Sequence, residues 1–402
     1  MALRLSTAPV DVSPADDYLA RVRRLAPVIA GASDRIEQDR RLTPELVDAL
    51  HAEGMYRLLL PRRYGGGQVD PATFHMAMSE VARHDASTAW CLGQGNGCAM
   101  AAAYVKPEIA EEVWGNDPRG VLAWGPPGKA TATDEGDSFR VTGSWSFASG
   151  MRHATWLGAH STVVGPDGTP KLGPDGSKVV RTMLIRQSQA EITDIWHVIG
   201  LRGTASDAFA VKDFVVPRDY SLSRDDAQEL YVDEPLYLFP QTTLYSIGFS
   251  GVAIGIARAL LESFKELASE KTPRRMKNTL RENGMVQMEV GMAEARLNAA
   301  RANILSEATD IWNTVLATNE LTIPQRMRIR LATTFGIQEA KQVGDAVYHL
   351  AGATAIFESN VFERRFRDLN TVTQQTQGRK TNIQAVGSFL LGNEPDMGVI
   401  QA

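Results

Sequence analysis

The sequence is short of the residues that would signal covalent or metal-based architecture. Among 402 residues there are two cysteines, Cys91 and Cys98, both inside an apolar run. On one helix they would lie about two turns apart, too far to bridge, so a disulfide framework is excluded and a reducing compartment is expected. The seven histidines are scattered, and no His/Cys cluster has the spacing of a metal site. An excess of one charge sign is missing too: 42 Lys and Arg against 47 Asp and Glu leave a net charge of -5 with no basic tail. That balance argues against nucleic acid or another polyanion as a partner. Residues 89–105 are apolar but broken by Gln94, Asn96 and several glycines, and no run is expected to cross a membrane. Residues 1–9 lack the apolar centre of a signal peptide and are expected to form a loose lead-in to a cytoplasmic protein.

A chain of this length is too large for one simple core and predicts two or three domains. Residues 1–118 read as helical. Leu19, Val22, Leu25 and Ile29 at helical spacing predict a helix over 16–31, and a second over 33–51 beyond the glycine. Thr43 before Pro44 marks a capped start, Pro71 opens a helix to residue 82, and Ser87 opens another toward residue 104. Residues 119–233 change to the period of strands. Segments at 121–124, 139–147, 155–164, 179–185, 192–198 and 209–217 predict a small antiparallel β-barrel or sandwich, closed by an acidic linker at 221–234. Residues 234–402 return to helical spacing, near 242–269, 285–317, 324–351 and 381–391, which predicts a four-helix bundle. The expected class is α+β.

The most informative stretch is residues 140–156, Arg-Val-Thr-Gly-Ser-Trp-Ser-Phe-Ala-Ser-Gly-Met-Arg-His-Ala-Thr-Trp. Polar and apolar residues alternate up to Phe147, which puts Trp145 and Phe147 on one strand face and predicts a flat aromatic wall. Ala148, Ser149 and Gly150 follow with small side chains and one hydroxyl. That combination suits a planar heterocycle with hydrogen-bonding edges, a flavin above all. An ordinary twisted sheet with tryptophan in its core is the other reading that spacing allows.

Three further stretches fall in order around it: Trp124-Gly-Pro-Pro-Gly-Lys-Ala130, Gly200-Leu-Arg-Gly-Thr-Ala-Ser206 leading to Val215-Val-Pro217, and Phe362-Glu-Arg-Arg-Phe-Arg-Asp368. As an ordered set they resemble the acyl-CoA dehydrogenase superfamily over residues 20–395, in particular its oxygen-using branch of two-component flavin hydroxylases, the group D flavin-dependent monooxygenases. The resemblance implies a flavin held between the barrel and the bundle. It places Trp124, Pro126, Gly128, Trp145, Phe147 and Ser149 beside the cofactor, FAD, with FMN as the alternative. It also directs the basic run around Arg274, and the small-residue turn at Ala351 and Gly352, toward a FAD bound on a neighbouring chain. A homotetramer is the assembly it implies; a solvated loop is the plain alternative for the basic run.

Two departures from the family narrow the chemistry. The dehydrogenases carry a catalytic glutamate after the final Arg-Asp, whereas residues 369–391 contain no acid, so an α-proton abstractor is missing there. The hydroxylases carry two active-site histidines, and Gln375 and Asn96 stand in those places. Neither titrates as imidazole does; each can only orient or hydrogen-bond. The catalytic candidates are therefore Gln375, Asn96 and Ser149, with His153 and His197 near enough in sequence to reach the flavin edge. Cys98 reads as a small core residue, and Arg367-Asp368 as a helix-anchoring ion pair.

The function implied is oxygen transfer from a flavin (hydro)peroxide to a small, aromatic-derived substrate, with molecular oxygen as co-substrate and a separate flavin reductase as electron source. An alternative has a CoA-thioester substrate reduce FAD itself, as in the flavoprotein of tropodithietic acid biosynthesis. A further alternative is a non-catalytic oligomer keeping the flavin fold.

Overall fold

The structure, a computed structural model, describes residues 14–223 and 229–395. The expected lead-in at 1–9 and part of the linker at 221–234 lie outside the described residues.

Helices come first. α1 (Pro14–Asp39) runs straight through Gly31, where a break was expected, and even contains Pro27. Burial of Val22, Leu25, Ile29 and Ile36 along one side outweighs the roughly 1 kcal/mol that a helical glycine costs. α2 (Pro44–Ala52) begins as the sequence indicates, with the Thr43 hydroxyl accepting from Leu46 N. α3 (Pro71–Ala82) and α4 (Ala86–Ala99) are capped by Asp70 and Asp85, whose carboxylates accept from Thr73 N and Thr88 N. A short α5 (Pro107–Ala110) passes into a wide turn at Glu111–Gly115.

The strands are β1 (Leu122–Trp124), β2 (Pro127–Asp134), β3 (Ser138–Trp145), β4 (Trp156–Val164), β5 (Val180–Arg186), β6 (Glu191–Thr193), β7 (Ala208–Pro217) and β8 (Ser221–Leu222). They form one curled sheet in the order β6-β7-β3-β2-β4-β5-β8, with β1 added to β4. The pairing is antiparallel except that β1 and β2 both run parallel to β4, so the expected all-antiparallel barrel is corrected in that respect. β2 went unread because alanine and threonine alternate there, and Ala130 and Ala132 supply too little side chain to signal a buried face. The strand expected over 192–198 stops at Thr193. Asp207 Oδ1 takes the N–H groups of Ile195 and Trp196, at 3.0 and 3.2 Å, and draws that segment off the ladder.

The remaining helices are α6 (Gln241–Glu270), α7 (Gly284–Thr318), α8 (Ile323–Ala351), α9 (Val361–Val372) and α10 (Thr381–Leu390). α6 is long and apolar enough to cross a membrane, contrary to the sequence reading, but here it is the buried central helix, packed on α3, α8 and α9. Its approach to α3 depends on Gly255, where a Cβ would lie 2.2 Å from Ser79 O. That contact joins the first helices to the last, and one hydrophobic core runs through helices and sheet alike.

Candidate active site

A cavity of about 500 Å³ lies where sheet residues meet α4, α6 and the turn after α9. Its sheet side is built from Trp124, Gly125, Pro126, Phe147, Ser149, His160, Trp196 and Ser206. Its helical side is built from Trp90 and Gln94 of α4, Gln241, Thr242, Tyr245 and Phe249 of α6, and the turn carrying Gln374, Gln375, Gln377 and Arg379. Aromatic faces with a few fixed polar groups are the usual makeup of a small-molecule or cofactor site. Among the described residues lining it there is no aspartate or glutamate.

The sheet side owes its shape to the end of β3. The ladder stops at Trp145, and Phe147 takes a left-handed φ of 57° that turns its ring out, 60% exposed, edge-on to Trp196 at 5.8 Å. Ser149 then points inward. Its Oγ accepts from Trp90 Nε1 at 3.0 Å and lies 2.6 Å from Ser206 Oγ, which lies 2.7 Å from Thr204 Oγ1. Thr204 donates onward to Leu201 O at 2.9 Å. Because each hydroxyl has one proton, this order fixes the rest: Ser206 donates to Thr204, Ser149 donates to Ser206, and Ser149 keeps a lone pair for a ligand N–H. The loop reaches α1 and α4 because residue 203 is glycine; a Cβ there would lie 2.0 Å from Ile36 Cγ2, and its N–H donates to Ser87 Oγ at 3.1 Å.

The helical side is governed by amides. Gln94 Nε2 donates to Trp124 O at 3.2 Å and approaches Cys98 Sγ at 3.5 Å. Gln241 Nε2 donates to Gly97 O and to Tyr245 Oη, both at 2.8 Å. Gln375 is reversed: its Oε1 accepts from Gln377 N at 3.0 Å, and its Nε2 is buried with no hydrogen-bond partner among the described residues. An orphaned buried donor in a cavity wall costs free energy until a ligand or water meets it.

Comparison with known proteins gives this cavity a setting. Residues 18–113 match the acyl-CoA dehydrogenase N-terminal domain and residues 247–378 the acyl-CoA dehydrogenase C-terminal domain. Indole-3-acetate monooxygenase of Pseudomonas putida is 30% identical over 93% of this chain and 94% of its own. The chain belongs to the flavin-dependent monooxygenases of the acyl-CoA dehydrogenase fold. The oxygenase subunit HsaA of Mycobacterium tuberculosis is 29% identical over 88% of this chain and 90% of that protein. A crystal structure of HsaA superposes with a TM-score of 0.85 at 26% identity, covering 95% of this chain and 98% of the other. XiaF from a Streptomyces species, solved with FADH2 and glycerol, gives a TM-score of 0.88 at 23% identity, covering 95% and 96%, a likeness of fold.

Within this monooxygenase, Trp124, Pro126, Phe147, Ser149 and Gln375 of the sequence-derived candidates line the cavity. Trp145 does not. It is 1% exposed, stacked on Phe209 at 4.9 Å, with Nε1 donating to His160 O at 2.8 Å, so the expected wall shared with Phe147 is corrected: the strand ends between them. Asn96 is likewise a core residue. Its Oδ1 accepts from Leu58 N and Leu59 N and its Nδ2 donates to Met55 O and Leu92 O, which leaves it no spare donor. Gly128 sits on β2 against Ser144, outside the lining. Arg274 stands on the exposed loop between α6 and α7. Lys271, three residues earlier, donates to Ala351 O and Thr354 Oγ1 at 2.6 and 2.7 Å and so ties that loop to the turn at Ala351 and Gly352 on the same chain.

The two histidines singled out lie elsewhere. His153 is half-buried beside Tyr56, and desolvation, followed by the nearby His51, lowers it to about 3, so it is neutral at pH 7. His197 is on the surface beside Asp194 and Arg40. The imidazole that does line the cavity is His160, its Nδ1 2.7 Å from Thr182 Oγ1 and its ring edge-on to Trp124. Arg367 and Asp368 do not pair with each other. Arg367 bridges Glu363 and Glu37, while Asp368 accepts from Leu201 N at 2.6 Å, and burial, with Asp85 and Glu37 adding, pushes its carboxyl up to about 7. Gln94, Gln241, Tyr245 and His160 were missed because each sits in an ordinary helix or strand pattern; only the meeting of α4, α6 and β4 makes them a wall.

The lining fits a flavin. Phe147 and Trp196 offer apolar ring surface, Ser149 an acceptor, and Gln375 a donor without a partner.

Proposed function

We propose that this chain is the oxygenase component of a two-component system, supplied with reduced flavin by a separate reductase, and that it hydroxylates an electron-rich aromatic substrate without first deprotonating it. The observation that carries this reading is Gln375: an amide stands at the cavity wall where the branch carries a histidine, with its N–H side buried and unpartnered. An amide cannot take a proton at neutral pH, and the imidazole in the lining, His160, stands on the sheet side with Nδ1 against Thr182 Oγ1, away from the turn that carries Gln375, so this position suits a ring that is already electron-rich, as the indole of the Pseudomonas relative's substrate is. When bound, reduced flavin supplies the two electrons with which molecular oxygen is divided between a hydroxyl group on the product and water. The chain's own part is to seat the ring edge at Ser149, to exclude water with Trp90, Trp196 and Phe249, and to offer the Gln375 N–H to a developing negative oxygen. Among the described residues the lining holds no carboxylate, the group that takes the α-proton in the acyl-CoA dehydrogenases, which favours a reductase over a CoA thioester as the source of electrons.

FAD is the proposed cofactor, with FMN as the alternative, and a homotetramer in a reducing cytoplasm the proposed setting. Two buried free thiols support the compartment, and the exposed Met285, Met288 and Met292 on one side of α7 support an oligomer. In it, Arg274 and the turn at Ala351 and Gly352 would complete a FAD site of another chain. The test is anaerobic titration with reduced FAD and reduced FMN, then addition of ¹⁸O₂ with indole-type and phenol-type substrates. Tight binding of one reduced flavin and a single labelled oxygen in the product are expected. No binding of either flavin, or a product without label, would overturn the reading.

A further inference from the structure

We infer that the substrate is held on the helical side of the cavity through a protonated donor on its ring, an aromatic N–H or O–H, accepted by the amide oxygens of Gln94 and Gln241. This rests on the oxygenase reading above and names the substrate class for that same cavity.

Amide oxygen and nitrogen are distinguished by what they meet. Gln94 faces the Trp124 carbonyl and Gln241 faces the Gly97 carbonyl, and a carbonyl can only accept, so the atoms there are Nε2. The second N–H of each is also committed, to Cys98 Sγ and to Tyr245 Oη. What each glutamine has left to offer a ligand is its Oε1, and no hydrogen bond reaches either Oε1 among the described residues. Both residues line the cavity and both are buried, Gln94 at 9% and Gln241 at 7% exposure. Two acceptors in a buried wall select a ligand that brings a donor, whose one proton they share, because a ligand without it leaves both unpaired.

The surroundings specify the rest of the ligand. Trp90 stacks on Phe249 at 3.9 Å and Tyr245 on Phe249 at 5.4 Å, giving flat apolar surfaces beside the two amides. A ring that had lost its proton would set negative charge against two carbonyl oxygens. The wall therefore discriminates against the anion and for the neutral donor. A ring N–H satisfies this while leaving the ring electron-rich.

The test measures binding of indole, 1-methylindole, phenol and anisole to the full chain saturated with whichever flavin it retains. Methylation removes the donor and adds one methyl group; the leucine variants separate the two effects, because they abolish the hydrogen-bond part of the difference and leave the steric part. In the wild type it should weaken binding about tenfold, the effect of one lost hydrogen bond to a buried acceptor. Gln94→Leu, and independently Gln241→Leu, should bring each methylated and unmethylated pair toward equal affinity while leaving flavin affinity unchanged. Preference for indole over phenol assigns the ring N–H, and the reverse assigns the O–H. Equal binding of each pair in the wild type, binding of neither parent compound, or a loss of flavin affinity in Gln94→Leu would overturn the inference. Reduced-flavin binding and ¹⁸O incorporation are read separately, so the oxygenase reading can stand while this one falls.

Discussion

The hydroxyl oxygens of Ser149 and Ser206 lie 2.6 Å apart, and that contact fixes which way the Ser149 proton points. Thr204 donates to Leu201 O, so Ser206 must donate to Thr204 and Ser149 to Ser206. Asp368 holds the same Leu201 by its N–H, so a buried carboxyl on α9 and a hydroxyl at the cavity wall are linked through one residue.

Ser206→Ala should weaken reduced-flavin binding about tenfold, because Ser149 loses the acceptor that orients it and one buried hydrogen bond is worth about 1 kcal/mol or somewhat more. Ser149→Ala should cost a similar amount, and the double variant little more than either single one, since both act through one contact. Additive losses in a fluorescence titration would show that the two hydroxyls act separately.

Gln375→Leu should lower product formation by removing the unpartnered N–H at the wall, and Gln375→His should not raise it. A base within reach typically contributes about 10²–10⁴-fold where a proton must be removed. The proposed substrate needs no such removal. Turnover and product identity on one confirmed substrate decide the point, and a large gain with unchanged product would refute it.

Asp368 gives a stability prediction with a definite sign. Its carboxyl is raised from the ordinary aspartate value of 3.8 to about 7 in the folded chain, chiefly by burial, so between those values the folded state holds a proton that the unfolded chain releases. Its stabilising share is full below about pH 4 and is lost as the pH rises to about 7. Asp368→Asn keeps an acceptor for Leu201 N and should flatten that part of the curve. Urea midpoints from pH 4 to 8 are the measurement; an unchanged slope would remove Asp368 as its source.

Trp145→Ala should destabilise the fold by about 3–5 kcal/mol, the cost of emptying a large aromatic site in a packed core. The ring fills space against Phe209 and faces no part of the cavity. Thermal unfolding and flavin titration together separate the outcomes: a stable protein with weakened flavin binding would return Trp145 to the cofactor.

The sequence by itself determined the order of helices, sheet and helices, because burial period is local and caps such as Thr43 and Asp70 act within one turn. It also determined the small-residue bend at Ala148, Ser149 and Gly150 and the amide at Gln375. Tertiary structure alone decided which of these residues share a wall. Phe147 left the face of Trp145 through one left-handed dihedral that alternation could not signal, and Asp207 pulled Ile195 and Trp196 off a strand from 12 and 11 residues away in sequence. Asn96 went to the core and Gln94, two positions earlier on α4, to the cavity, because a helix turns about 100° per residue and only the seats of β1 and α6 choose the face. A single sequence records which groups are available; the packing of distant elements decides which lone pairs and protons remain unspent.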